Sequence, residues 1–390
     1  MREISLNALN IEGQPMFKVI DKVKHLESQG RNIIHLEIGD PDFQTPNNIV
    51  EAAKSSLDRG ETHYVSSWGM TDFIEVIRDA THSSRGFKPD IKQVLVTPGA
   101  NIAIFYTAFC LSNPGQEILV PDPGFPTYLS AIKMCGSIPV HYPLHEKNAF
   151  RMRAADIEPL ITDKTRLIII NSPQNPTGAI TEPWALKEIY ELAVKYDLYI
   201  YSDEIYARMV YGDQEFFSIA GFDKCKERVI LSNGFSKAFA MTGWRLGAMV
   251  MPSKVAERMM LLLQTTSSCV SPFLQRAGIE AITGDQSSVN SMMSEYKFRR
   301  DLLVNGLNSI SGIKCHMPGG AFYAFPNISS FGMSSEAFAD HMLEHAGIAL
   351  LPGSCFGARG EGFVRLVYAS SRSNLTDALS RLEDACKKLK

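Results

Sequence analysis

Ser232-Asn233-Gly234-Phe235-Ser236-Lys237-Ala238-Phe239-Ala240-Met241-Thr242-Gly243-Trp244-Arg245-Leu246-Gly247 is the stretch that organises the rest of the chain. Short apolar runs flank it, at 229–232 and 247–251. A lysine sits among small residues just past the first run, and an arginine follows eight residues later. The plain reading is a surface lysine in a flexible loop. The chemical reading is a lysine that forms a Schiff base, with small neighbours leaving room for a cofactor and an arginine to hold its phosphate.

Working outward, further β-branched runs stand at 93–97, 117–121, 166–171 and 198–202. Several are apolar at successive positions, which suits a parallel sheet covered on both faces. Helical patterns lie between them, for instance at 100–111 and 184–196. The alternation predicts an α/β domain over 46–285, with a mostly parallel sheet sandwiched by helices. The C-terminal third reads differently. Residues 285–310 form a long polar-faced helical pattern, and 319–325 look like a strand after a glycine turn. Leu375, Leu379, Leu382, Cys386 and Leu389 mark a last amphipathic helix with Ser373 or Asn374 as its N-cap. Segments 1–45 and 286–390 together predict a smaller α+β domain.

Three more motifs fall at strand ends, where open α/β sheets bind ligands. Asn171-Ser172-Pro173-Gln174-Asn175-Pro176-Thr177-Gly178 follows the 166–170 run, and its plain reading is a turn. Tyr201-Ser202-Asp203-Glu204-Ile205-Tyr206 puts an acid after an apolar run, where burial without a partner is costly; its plain reading is an N-cap. Val94-Leu95-Val96-Thr97-Pro98-Gly99-Ala100-Asn101 is strand, glycine turn and helix start, an arrangement that points backbone N–H groups at an anion. Together the four motifs describe one site with a phosphate cradle, a hydrogen-bonding Asn, an Asp, a Tyr and a Lys nucleophile.

Composition narrows the class. The 390 residues are 45% hydrophobic and 21% charged with a net charge of −3, which excludes disorder and gives no basic block for nucleic acid. Seven scattered cysteines with no C-x-x-C read as reduced thiols of a cytoplasmic protein. The first 17 residues lack the basic and apolar regions of a signal peptide, and no apolar run approaches membrane-spanning length.

With these residues in order, the chain resembles a class I aminotransferase of the fold-type I pyridoxal-phosphate enzymes, on the prokaryotic aspartate/aromatic branch. The resemblance extends from Ile38-Gly39-Asp40-Pro41-Asp42-Phe43 to Phe363-Val364-Arg365-Leu366. It implies a seven-stranded sheet, pyridoxal 5'-phosphate as cofactor, and transfer of an α-amino group to a 2-oxo acid by a ping-pong mechanism. By the same resemblance Lys237 forms the Schiff base and moves the α-proton. Asp203 pairs with the ring nitrogen; Asn175 and Tyr206 hydrogen-bond the ring oxygen. Gly99, Ala100, Asn101, Ser236 and Arg245 belong to the phosphate site, and Phe125 stacks on the ring. Arg365 clamps the substrate carboxylate, helped by Asn175 and Gly39. Tyr64, in His63-Tyr64-Val65-Ser66-Ser67-Trp68-Gly69, reaches the phosphate of the neighbouring subunit in a homodimer. The Asn175–Pro176 bond is expected to be cis.

The chain also departs from that pattern. Gly234 stands where many relatives carry a serine, and Asn101 where dicarboxylate-preferring relatives carry a lysine. No arginine suggests itself for a distal carboxylate. Phe17, Trp68, Phe322 and Tyr323 are candidates for an apolar substrate pocket, which favours neutral or aromatic donors beside aspartate and glutamate. Three rivals stand beside transamination. A pyridoxal-phosphate lyase would use the same site for C–S β-elimination. His341-Met342-Leu343-Glu344-His345 matches the H-x-x-E-H of zinc peptidases, although 335–346 also reads as an ordinary amphipathic helix buried through Phe338, Met342 and Leu343. A non-enzymatic ligand-binding protein on the same scaffold is the third.

Overall fold

Alternating side chains of one strand point to opposite faces, so a sheet covered on both sides needs apolar residues at every position. The chain satisfies this. In the computed structural model, which describes residues 4, 6–9, 13, 16–212 and 215–389, twelve strands are numbered in chain order. Seven form the central sheet: β2 (Val94–Thr97), β3 (Glu117–Asp122), β4 (Ile138–Pro143), β5 (Thr165–Asn171), β6 (Tyr199–Asp203), β7 (Val229–Gly234) and β8 (Gly247–Val250). Their order is β2-β8-β7-β6-β5-β3-β4. β8 runs against the direction of the other six.

The two faces sort residue by residue. Val94, Val96, Ile168, Ile170, Ile200 and Leu231 enter one core with the helices Thr71–Arg85, Pro183–Lys195 and Pro272–Thr283. Leu95, Leu167, Ile169, Tyr201 and Ile230 enter the other with Asn101–Leu111, Thr127–Met134 and Ser253–Ser267. Each fully buried Ile or Leu contributes about 1.5–3 kcal/mol, so neither face tolerates a polar substitution cheaply.

The remaining strands are short. β1 (Ile34–His35) pairs in parallel with β10 (Ile348–Ala349). β11 (Leu351–Pro352), β12 (Val364–Val367) and β9 (Tyr323–Ala324) form an antiparallel sheet of three. The helices Ser287–Ser309 and Arg372–Lys388 pack beside them.

Several expectations need correction. β4 was missing from the runs read off the sequence, although the resemblance implied a seventh strand. The strand expected over 319–325 shrinks to Tyr323–Ala324, because the amides of Gly319 and Gly320 both donate to Gly178 O. The last helix is capped by Ser371, whose hydroxyl accepts from the Asn374 amide, and not by Ser373 or Asn374. The helix expected over 335–346 is α-helical only over Ser335–His341 and widens to a π-turn over Met342–Ala346. The signal-peptide reading falls largely on positions outside the described residues. Among the described residues no helix is long and apolar enough to cross a membrane, and all seven cysteines are free.

Candidate active site

The carboxyl ends of β2, β5, β6 and β7 meet at one edge of the sheet, and the antiparallel β8 begins there. Asn171 is in register with Asp203, Asp203 with Ser232, and Gly247 with both Thr97 and Gly234. The four motifs therefore converge on one cavity of about 320 Å³, lined among others by Gly39, Asn175, Asp203, Lys237, Arg245 and Arg365.

Asp203 ends β6 and is buried. Its Oδ2 accepts from Tyr128 OH at 2.7 Å and its Oδ1 from the Ile205 amide at 3.3 Å. Burial pushes this carboxyl up to about 6, with the two bonds pulling the other way. Among the described residues no cation pairs with it, so it is an acid with an opening for one. Asn171 holds the next loop: its Oδ1 accepts from the Asn175 amide at 2.8 Å and its Nδ2 donates to Asp203 O at 3.0 Å. The Asn175–Pro176 bond is cis, as are Asp122–Pro123 and Ser172–Pro173.

Lys237 lies in the turn between β7 and β8, and its Nζ donates to Gly39 O at 2.5 Å. Burial pushes the amine down to about 8; Arg365 and Arg245 add to this, and Asp40 opposes it. Arg245 is held by a 2.9 Å bond from Nη1 to Thr242 O and lies against Gly99. Gly99 has φ +85°, and a Cβ there would come within 2.7 Å of the Arg245 guanidinium. A Cβ on Gly247 would stand 2.8 Å from Gly99 C and 2.9 Å from Ala100 N. Two side-chain-free positions thus open a cradle where the helix Asn101–Leu111 presents its N-terminal amides beside a guanidinium, a fit for phosphate.

Arg365, on β12, is 2% exposed. It donates to Asn175 Oδ1 at 3.2 Å and to Glu37 O. The guanidinium stacks 4.6 Å from the Tyr323 ring centroid and 4.9 Å from that of Phe356. Its Nε is buried without a partner, and among the described residues no carboxylate forms an ion pair with it. A buried cation in this state is built for an arriving anion.

Ala100, Asn101, Phe125, Tyr206 and Ser236 also line the cavity; Gly99 sits behind Arg245. Tyr323 lines it as well, whereas Tyr64, Phe17, Trp68 and Phe322 do not. Tyr64 is 86% exposed and Phe17 58% exposed. Trp68 packs against both faces' cores. Met16 and Ile38 line the cavity instead of Phe17 and Trp68. Two residues to which the sequence motifs assign no role, Tyr128 and Asn171, complete the hydrogen bonding around Asp203 and Asn175. Tyr128 lies three residues past Phe125, near the start of one helix, and the two rings meet edge-on at 5.6 Å. His341 and His345 stand 4.5 Å apart, away from the cavity lining, and among the described residues no three His, Cys, Asp or Glu side chains gather as a metal site.

The family model for aminotransferases of class I and II matches residues 31–382. A putative aminotransferase, YugH, of Bacillus subtilis is 41% identical over 366 residues, covering 93% of this chain and 94% of that one. An aspartate aminotransferase of Pyrococcus horikoshii is 41% identical over 360 residues, 92% of each chain. The crystal structure of an aromatic aminotransferase from Pyrococcus horikoshii superposes with a TM-score of 0.90 at 40% identity, covering 94% of this chain and all of that one.

Proposed function

The chain belongs to the class I and II aminotransferases, and from that premise we propose how its own residues divide the work of a pyridoxal-phosphate-dependent transaminase. One observation carries the reading: a half-buried lysine, an acid without a cation and an arginine without an anion face one cavity. Asp203 would hold the protonated ring nitrogen, Tyr206 and Asn175 the ring oxygen, and Phe125 a ring face. Arg245 with residues 99–101 and Ser236 would hold the phosphate. Bound there, the cofactor would supply a carbonyl to receive the amine and a ring to store the electrons of the α-carbon.

Arg365 and Asn175 would fix the substrate carboxylate, and the stacked Tyr323 and Phe356 rings keep the guanidinium from swinging away. With the donor bound, Lys237 Nζ would take the proton from the α-carbon and later return one. At about 8, roughly a quarter of such an amine is neutral at pH 7.5, against about 0.1% for an ordinary lysine. Met16 and Ile38 add apolar side chains to the lining, which supports neutral or aromatic donors. The exposure of Tyr64 supports a homodimer in which it serves the neighbouring site, with 46–285 as the cofactor-binding domain.

The test is a visible absorbance scan of the purified protein with pyridoxal 5'-phosphate, repeated with single amino acids. A yellow protein bleached by some donors, with release of the matching oxo acid, supports transamination. Ammonia and pyruvate from a cysteine conjugate would replace it with β-elimination. A protein that stays colourless overturns the cofactor site.

A further inference from the structure

Two buried phenols meet in the lining of the cavity: Tyr206 OH and Tyr323 OH are 2.6 Å apart. At that distance one hydroxyl donates to the other, and each phenol has a single proton to give. If Tyr206 donates to Tyr323, it has none left for a group in the cavity. If Tyr323 donates, Tyr206 remains free to do so. The position of Arg365 favours the second arrangement. Arg365 lies over the Tyr323 ring at 4.6 Å and makes this phenol the better proton donor. Burial raises both phenols and Arg365 lowers both, but the guanidinium is the leading opposing influence on Tyr323 and the smallest of those acting on Tyr206. Gly39 leaves room for this hydroxyl: Tyr323 OH lies 2.5 Å from where a Cβ on Gly39 would stand.

We propose that Tyr323 is a positioning residue: it donates its hydroxyl proton to Tyr206 and thereby aims and strengthens the hydrogen bond that Tyr206 gives to the cofactor's ring oxygen. A donor that is itself an acceptor in a chain is polarised and donates more strongly. Because the same ring carries Arg365, Tyr323, like Asn175, touches both the carboxylate clamp and the ring-oxygen contact. The inference rests on the assignment of Tyr206 above. The charged and titratable groups facing Tyr323 are Arg365, Tyr206, Asp203 and Asp40.

The test uses the cofactor-loaded protein without substrate and reads the pH midpoint of its visible band. That midpoint reports how tightly the Lys237 nitrogen, bonded to the cofactor, holds its proton. A weaker bond from Tyr206 leaves more negative charge on the ring oxygen, so the proton is held longer. Tyr323→Phe keeps the ring under Arg365 and removes only the hydroxyl; its midpoint should rise by roughly half a unit. Tyr206→Phe should raise it further. The double variant should match Tyr206→Phe alone, since Tyr323 acts only through Tyr206. Tyr368→Phe removes another buried hydroxyl, bonded to Ala321 O at 3.0 Å, and should leave the midpoint unmoved. An unmoved midpoint in Tyr323→Phe, or additive shifts in the double variant, would overturn the proposal while leaving the cofactor site intact. A wild-type protein that gains no visible band would instead overturn the reading beneath it.

Discussion

Asp203→Asn is the perturbation whose size can be worked from the structure. In the cofactor-free protein the Asp203 carboxyl sits at about 6, above its ordinary 3.8, chiefly because it is buried. Two pH units of difference correspond to about 3 kcal/mol. The sign follows from proton uptake. Between pH 4 and 6 the folded protein binds a proton at Asp203 that the unfolded chain has released, so stability falls as pH rises through this window and is flat above it. Asparagine has no charge to bury and escapes that cost. It cannot accept from both Tyr128 OH and the Ile205 amide as the carboxylate does, and one lost bond costs about 1 kcal/mol. Cofactor-free Asp203→Asn should therefore be more stable than wild type by about 2 kcal/mol at pH 8, and slightly less stable at pH 4. Calorimetric melting of both proteins across this range, stripped of cofactor, reads the difference. For a chain of this length that is on the order of 2–4 °C at pH 8. Loading pyridoxal 5'-phosphate should reverse the order, because the ring nitrogen brings the cation that only the carboxylate can use. A difference between the two proteins that does not change with pH would refute the reasoning, and so would equal stabilisation of both by the cofactor.

Lys237→Ala should abolish transamination and the pH-dependent visible band while leaving the cofactor-free melting temperature at or above that of wild type, since a buried amine is removed. Arg365→Ala should weaken binding of a substrate carboxylate by about 2–5 kcal/mol, or roughly 30- to 5,000-fold, with an unchanged dissociation constant counting against its role. At His35, burial works against the charged form, but hydrogen bonds to Glu37 and Glu27 raise its pKa. Its contribution is complete below about pH 6.5 and is lost as pH rises past the folded value. His35→Gln should thus lower the melting temperature more at pH 6 than at pH 8.5.

The central sheet was legible where its physics is local. β2, β3, β5, β6, β7 and β8 are largely buried on both faces and carry short apolar runs, each read to within two residues at either end. β4 escaped because Ile138-Pro139-Val140-His141-Tyr142-Pro143 carries two prolines and a histidine. It lies at the edge of the sheet, where a proline need not donate to a neighbour and one face meets solvent. The start of the last helix was misread for a related reason. Its apolar spacing marks a buried face, but the cap is chosen among Ser371, Ser373 and Asn374 by backbone geometry that spacing does not express.

The site divides along the same line. Asp203, Asn175, Lys237 and the glycines near the phosphate cradle stand out because each lies at or a few residues past the end of an apolar strand, and a polar or side-chain-free residue at that place is a local signal. Arg365 interrupts the apolar run of β12. Residues whose part depends on a contact made across the fold carry no such signal. Tyr128 meets Asp203 across 75 positions and Tyr323 meets Tyr206 across 117, and in sequence each is one more aromatic in an apolar stretch. Phe17 illustrates a third limit. It begins the same helix as Met16, and one residue is about 100° of helical rotation. Its neighbour therefore reaches the cavity while Phe17 itself turns outward, a distinction set by how the helix Met16–Ser28 docks and not by what either residue is.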